Sequence, residues 1–165
     1  MKTLLAAGLL LLLLPGSFHL LAAEPPAFTR NEVIYGRKFG TALTADVIQP
    51  AKPNGYGVVA MISGGFFSSH DSISPAFFRP LLERGYTVFA VVHGSQPKFT
   101  IPEITGDVHR ALRFIRHHAK EYGVKPAQLG IMGASAGGHL SLTLGTQGQP
   151  GDPASKDPVD RKSVV

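Results

Sequence analysis

Apolar positions in this chain gather in short runs broken by glycine, proline and asparagine, and the runs change period along the sequence. Gly57-Val58-Val59-Ala60-Met61-Ile62 and Tyr86-Thr87-Val88-Phe89-Ala90-Val91-Val92 are nearly continuous and rich in β-branched side chains. Runs of that kind between turn residues predict strands buried on both faces, as in a parallel sheet. Gln128 to Met132 predicts a third, shorter strand. From Glu103 the period becomes helical. Ile104, Val108, Ala111, Leu112, Ile115 and Ala119 fall on one face, and Gly123 suits a left-handed stop. Pro75 to Arg84 predicts a helix ended by Gly85, with a kink or late start at Pro80. Gly133 to Gly137 reads as a tight turn, and Gly138 to Leu144 as the helix after it.

Two further strands precede these elements. Glu32 to Tyr35 and Leu43 to Gln49 are joined through Gly36 to Gly40 and followed by the turn-rich stretch Pro50 to Gly57. Two strands, then strands alternating with helices, predict an α/β fold. Its sheet should be mostly parallel, with helices on both faces. The tail Thr146 to Lys162 is polar and reads as a loop. Ser163-Val164-Val165 reads as the opening of one more strand. The domain is therefore expected to be C-terminally incomplete, with an unpaired sheet edge that makes the chain poorly soluble alone.

The N-terminus changes the picture of location. Met1-Lys2 is followed by an apolar run from Leu4 to Leu14, then by Leu20-Leu21-Ala22-Ala23. This is the pattern of a secretory signal peptide over residues 1–23, too short in its apolar run to span a bilayer comfortably. The expected product is an exported domain, periplasmic or secreted, over residues 24–165, with no stable membrane span after cleavage, the alternative being an uncleaved N-terminal anchor. The chain has no cysteine, so thiolate chemistry and disulfides are excluded. With 44% hydrophobic and 16% charged residues, the composition is that of a globular chain and not a disordered one. The net charge is +5. Its densest group, Arg110, Arg113 and Arg116, lies on one side of the long helix and reads as a solvated face. No other basic cluster extends it into a nucleic-acid stripe.

The sharpest chemical signal is Gly133-Ala134-Ser135-Ala136-Gly137, a G-x-S-x-G between a strand and a helix. A sharp turn in that place lifts a serine out of the sheet, and the flanking glycines remove side chains that would collide. The helix behind it presents free N–H groups and a positive dipole end to a developing oxyanion. The plainer alternative is a Gly/Ser helix cap. Ile62-Ser63-Gly64-Gly65-Phe66, directly after the first buried strand, supplies a second signal. Two adjacent glycines let a backbone approach substrate closely. The N–H groups of Gly64, Gly65 and Ala136 are the expected oxyanion hole, the alternative for Gly64-Gly65 being an ordinary turn.

Together these motifs, the Glu103 to Gly123 helix and Gly138-His139-Leu140 resemble the hormone-sensitive-lipase-like and acetyl-esterase branch of the α/β-hydrolases. Arg84-Gly85-Tyr86-Thr87-Val88-Phe89-Ala90-Val91 looks like the strand that branch has between its motifs. The resemblance runs from about Tyr35 to Gly145. It implies hydrolysis of small carboxylic esters, often acetyl or sugar esters, by a Ser-Asp-His triad with no cofactor or metal. The sequence departs from that family in two places. Ile62 and Ser63 replace the His and first Gly of the family's oxyanion motif. The triad Asp and His, which in these enzymes follow the serine after two more strands, have no counterpart in the thirty positions after Ser135.

The residues present do not fill those roles by motif. His139 sits one turn along the helix from Ser135, His70 and Asp71 precede the nucleophile, and His93 and His109 read as ordinary loop or surface residues. His117-His118, near the end of the long helix, suits the helix dipole and not a metal site. Asp152, Asp157 and Asp160 lie in the polar tail. Two alternatives to an esterase follow. One is a non-catalytic truncated fragment without the triad Asp and His, and the other is a prolyl-oligopeptidase-like peptidase.

Overall fold

In the computed structural model, residues 27–164 are described. The expected signal segment lies outside them. Five strands and three helices follow one another: β1 (Phe28–Lys38), β2 (Thr41–Pro50), β3 (Gly57–Ile62), α1 (Pro75–Leu82), β4 (Thr87–Val92), α2 (Ile101–His118), β5 (Leu129–Gly133) and α3 (Ala136–Thr146). Short 3₁₀ turns cover His70–Ser72 and Ala119–Tyr122.

The sheet order is β1-β2-β4-β3-β5. β4, β3 and β5 pair in parallel, while β2 is antiparallel to both β1 and β4. Four of the five strands therefore share one direction, as the alternation of elements requires. β4 is central and alternates its side chains between two cores. Phe89 and Val91 pack with α2 and α3, whereas Val88 and Ala90 pack with α1. The buried run read in the sequence thus contains two interleaved faces, each covered by helices.

Ile104, Val108, Ala111, Leu112, Ile115 and Ala119 are all at most 1% exposed, the face that their spacing predicts. Gly123 ends this segment at φ 67°, ψ 23°, in the left-handed region. The helix begins before Glu103. Thr100 donates its backbone N–H and its hydroxyl to Glu103 Oε2, both at 2.8 Å, which fixes the first turn. These bonds, the backbone one first, hold the Glu103 carboxyl below its ordinary range. Thr-x-x-Glu was the available signal. α1 runs through Pro80 and ends at Leu82, with Pro75 in its first turn, where no N–H is needed.

β1 is more than twice as long as its apolar core suggested. Most of its residues are exposed, and its length comes from a backbone ladder with β2 that spans Phe28↔Pro50 to Lys38↔Thr41. A strand held mainly by main-chain bonds leaves little hydrophobic pattern to read.

The tail corrects two expectations. Arg110, Arg113 and Arg116 do not form a solvated face, because they hold the tail against α2. Arg110 pairs with Asp157 at 2.7 Å and Asp160 at 2.6 Å. Arg113 Nε donates to the Lys162 carbonyl, and Arg116 to that of Ser163. The Val159 N–H, and after it Arg110, holds the Asp157 carboxyl below the usual carboxylate range. Nor do Ser163 and Val164 open a strand. The Val164 N–H bonds Gln149 O at 2.8 Å while its side chain joins the main core. Among the described residues, no helix is long and apolar enough to cross a membrane.

Candidate active site

Parallel strands put the loops after β3, β4 and β5 at one edge of the sheet. Ser135 stands in the turn after β5, at φ 52° and ψ −123°, immediately before the first residue of α3. A left-handed non-glycine residue is strained, and surrounding structure must hold it there. That structure is backbone packed on backbone. A Cβ on Gly133 would lie 2.3 Å from the Gly137 carbonyl oxygen, and one on Gly137 would lie 2.4 Å from that of Met61. The two glycines are steric necessities, and Ser135 is left exposed at the tip. Ala136 begins the helix, where the first N–H groups have no intrahelical acceptor.

Ser63, Gly64 and Gly65 follow β3 directly. Gly64 and Phe67 exchange reciprocal backbone bonds of 2.9 Å, with Gly65 at φ 57° and Phe66 at φ 64° between them. Positive φ at both central residues is the pattern of a type I′ turn. The Gly65 N–H makes no backbone hydrogen bond among the described residues, whereas the Gly64 N–H is donated to Phe67. The turn abuts the serine turn. The Gly137 N–H reaches Ser63 O at 3.3 Å, and the Phe66 ring meets the edge of His139 with centroids 5.7 Å apart.

No histidine ring among the described residues is hydrogen-bonded to Ser135. His70 contacts Thr44 Oγ1 at 2.6 Å, Asp46 at 3.0 Å and Glu32 at 3.1 Å, tying the loop after β3 to the β1–β2 hairpin. Asp46 also pairs with Arg30. His118 pairs with Glu121. His93 and His109 are not surface residues; they are 3% and 1% exposed. Burial holds both imidazoles below their ordinary range, and for His109 the Arg113 charge adds to it. The His93 ring faces Gly94 O at 2.6 Å through Nδ1, while neither ring nitrogen of His109 finds a partner. Among the described residues, no group of three His, Cys, Asp or Glu side chains is arranged to hold a metal.

An apolar groove of about 510 Å³ lies between α1 and the β3–β5 face, lined by Ile62, Phe77, Phe78 and Met132 beside Gly64 and Ala134.

The BD-FAE family profile matches residues 45–160, which includes both turns and most of the tail. The chain belongs to the BD-FAE family. It falls in the hormone-sensitive-lipase-like and acetyl-esterase branch of the α/β-hydrolases. An acetylxylan esterase of Xylanibacter ruminicola is 35% identical over 104 residues, 59% of this chain and 20% of that protein. A probable carboxylic ester hydrolase, LipM, of Mycobacterium tuberculosis is 36% identical over 86 residues, 51% of this chain and 20% of that protein. Among solved structures, an acetyl ester-xyloside bifunctional hydrolase from Caldicellulosiruptor lactoaceticus superposes with a TM-score of 0.68 at 23% identity. It covers 81% of this chain and 53% of its own. The propionate-bound thermophilic esterase Est2 of Thermogutta terrifontis gives 0.64 at 25% identity, covering 84% and 52%. This BD-FAE chain thus spans about a fifth of those curated relatives and about half of those structures.

Proposed function

We propose that this BD-FAE chain carries the nucleophile half of a serine hydrolase of small carboxylic esters, with Ser135 as the attacking residue. The observation that carries the reading is Ser135 itself, an exposed serine kept at positive φ by two glycines that admit no side chain. In the proposed step, Ser135 Oγ attacks the acyl carbon and the alcohol leaves with a proton. The Gly65 and Ala136 N–H groups stabilise the oxyanion between those events. Each such donor is worth about 3–4 kcal/mol in the transition state. Gly64 contributes its N–H only if its bond to Phe67 opens. Otherwise it shapes the turn. The name of the acetylxylan esterase relative supports an acetyl group carried on a sugar. The signal-like segment supports export of the domain.

A general base must deprotonate Ser135, since a free hydroxyl is a weak nucleophile. The histidines described above are engaged elsewhere or buried. This favours a second reading, in which the 165-residue chain is non-catalytic by itself. Hydrolysis of p-nitrophenyl acetate and of a dipeptidyl amide by the wild type and Ser135→Ala separates the possibilities. Ester turnover abolished in the variant supports the proposal. Equal, background-level rates support the non-catalytic reading, and preferred amide cleavage supports a peptidase.

A further inference from the structure

We infer that Ser68 and Ser95 are positioning residues for the oxyanion turn, an inference that rests on the proposed role of the Gly65 N–H. The turn needs external support. Its second central residue is Phe66, at φ 64°, where a type I′ turn favours Gly, Asn or Asp. A bulky residue in that conformation persists only where its surroundings fix it. Gly64 and Gly65 offer none of that support, because a Cβ on either would meet nothing within 4 Å.

The Phe66 ring packs against the main core and the edge of His139, and two hydroxyls hold the backbone. Ser68 Oγ donates to Ile62 O, the last residue of β3, and so closes the loop that contains the turn. The same oxygen accepts the His93 N–H at 3.2 Å, from the first residue after β4. Ser95 Oγ accepts the Ser68 N–H at 2.9 Å and donates to Ser68 O at 3.2 Å. Each hydroxyl thus uses its one proton and at least one lone pair, which fixes its rotor. The Gln96 N–H completes the mount by donating to Phe66 O at 3.3 Å. The loop after β4 therefore holds Phe66 and Ser68, on the C-terminal side of Gly65, and Ser68 in turn ties Ile62 on the N-terminal side. Neither serine belongs to the motifs of the site, and neither is proposed to touch substrate.

Amide hydrogen exchange, read by NMR on the whole chain, tests this without requiring turnover. In Ser68→Ala, the Gly64 and Phe67 amides are expected to exchange roughly tenfold faster, the scale of one lost hydrogen bond. The β1–β2 ladder should keep its rates. Ser68→Thr, which retains the hydroxyl, should restore protection, and Ser95→Ala should loosen the same two amides. Unchanged Gly64 and Phe67 rates in Ser68→Ala would overturn the inference. So would a uniform rise across the chain, or failure of Ser68→Thr to restore them. An inactive chain in which Ser68→Ala frees only the turn would support the non-catalytic reading and leave the two serines as mounts of the turn, without its oxyanion role. An active chain with an indifferent turn would do the reverse.

Discussion

The turn that carries Ser135 and the turn that carries Gly65 touch each other, yet they are held by opposite means. Around Ser135, Cβ atoms on Gly133 and Gly137 would come within 2.4 Å of carbonyl oxygens, so the chain has one way to pass. Around Gly65 there is open space, and the shape depends on two serine hydroxyls, Ser68 in the same loop and Ser95 in the loop after β4. Close packing is written into the residue types of the turn itself. Hydrogen-bond mounting is delegated to residues that form no local pattern. One half of the site is therefore rigid through sterics, and the other is adjustable through a few bonds.

The largest expected effect tests the rigid half. Gly137→Ala should destabilise the chain by about 3 kcal/mol or more, since the added methyl must displace backbone of β3. Urea unfolding followed by circular dichroism measures it. A loss below about 1 kcal/mol would remove the steric distinction between the two turns.

Smaller effects separate conformation from crowding. Gly65→Ala should cost about 1–2 kcal/mol, the penalty of a Cβ in the left-handed region. Gly64→Ala, with open space and no such backbone angle, should stay within about 0.5 kcal/mol of wild type. By the same reasoning Ser135→Gly should raise stability by about 1 kcal/mol, because it relieves the strain at φ 52°. Equal costs at Gly64 and Gly65 in the same unfolding assay would show that backbone angle does not govern the Gly64–Phe67 turn.

The same distinction explains what could be read in advance. The parallel strands, the face of α2 and the serine turn were legible because each rests on packing, and packing selects residue types at fixed spacing. β1 was underread because main-chain bonding sets its length. The three arginines of α2 were misread as a solvated face. Their partners, Asp157, Asp160 and tail carbonyls, lie some fifty residues away with no periodic relation to them. His93 and His109 went unnoticed as buried groups for a related reason. His109 sits next to Val108 and Arg110, at the margin of the apolar stripe, where spacing alone does not decide exposure.

Ser135 is proposed as the residue that attacks the acyl carbon. Incubation of the chain with a fluorophosphonate, followed by peptide mass spectrometry, addresses it most directly. The reagent is an electrophile more reactive than an ester. The account predicts a single adduct on the peptide that contains Ser135, lost in Ser135→Ala and weakened in Ser68→Ala. An adduct on another serine with Ser135 unmodified, or labelling that survives Ser135→Ala, would contradict it.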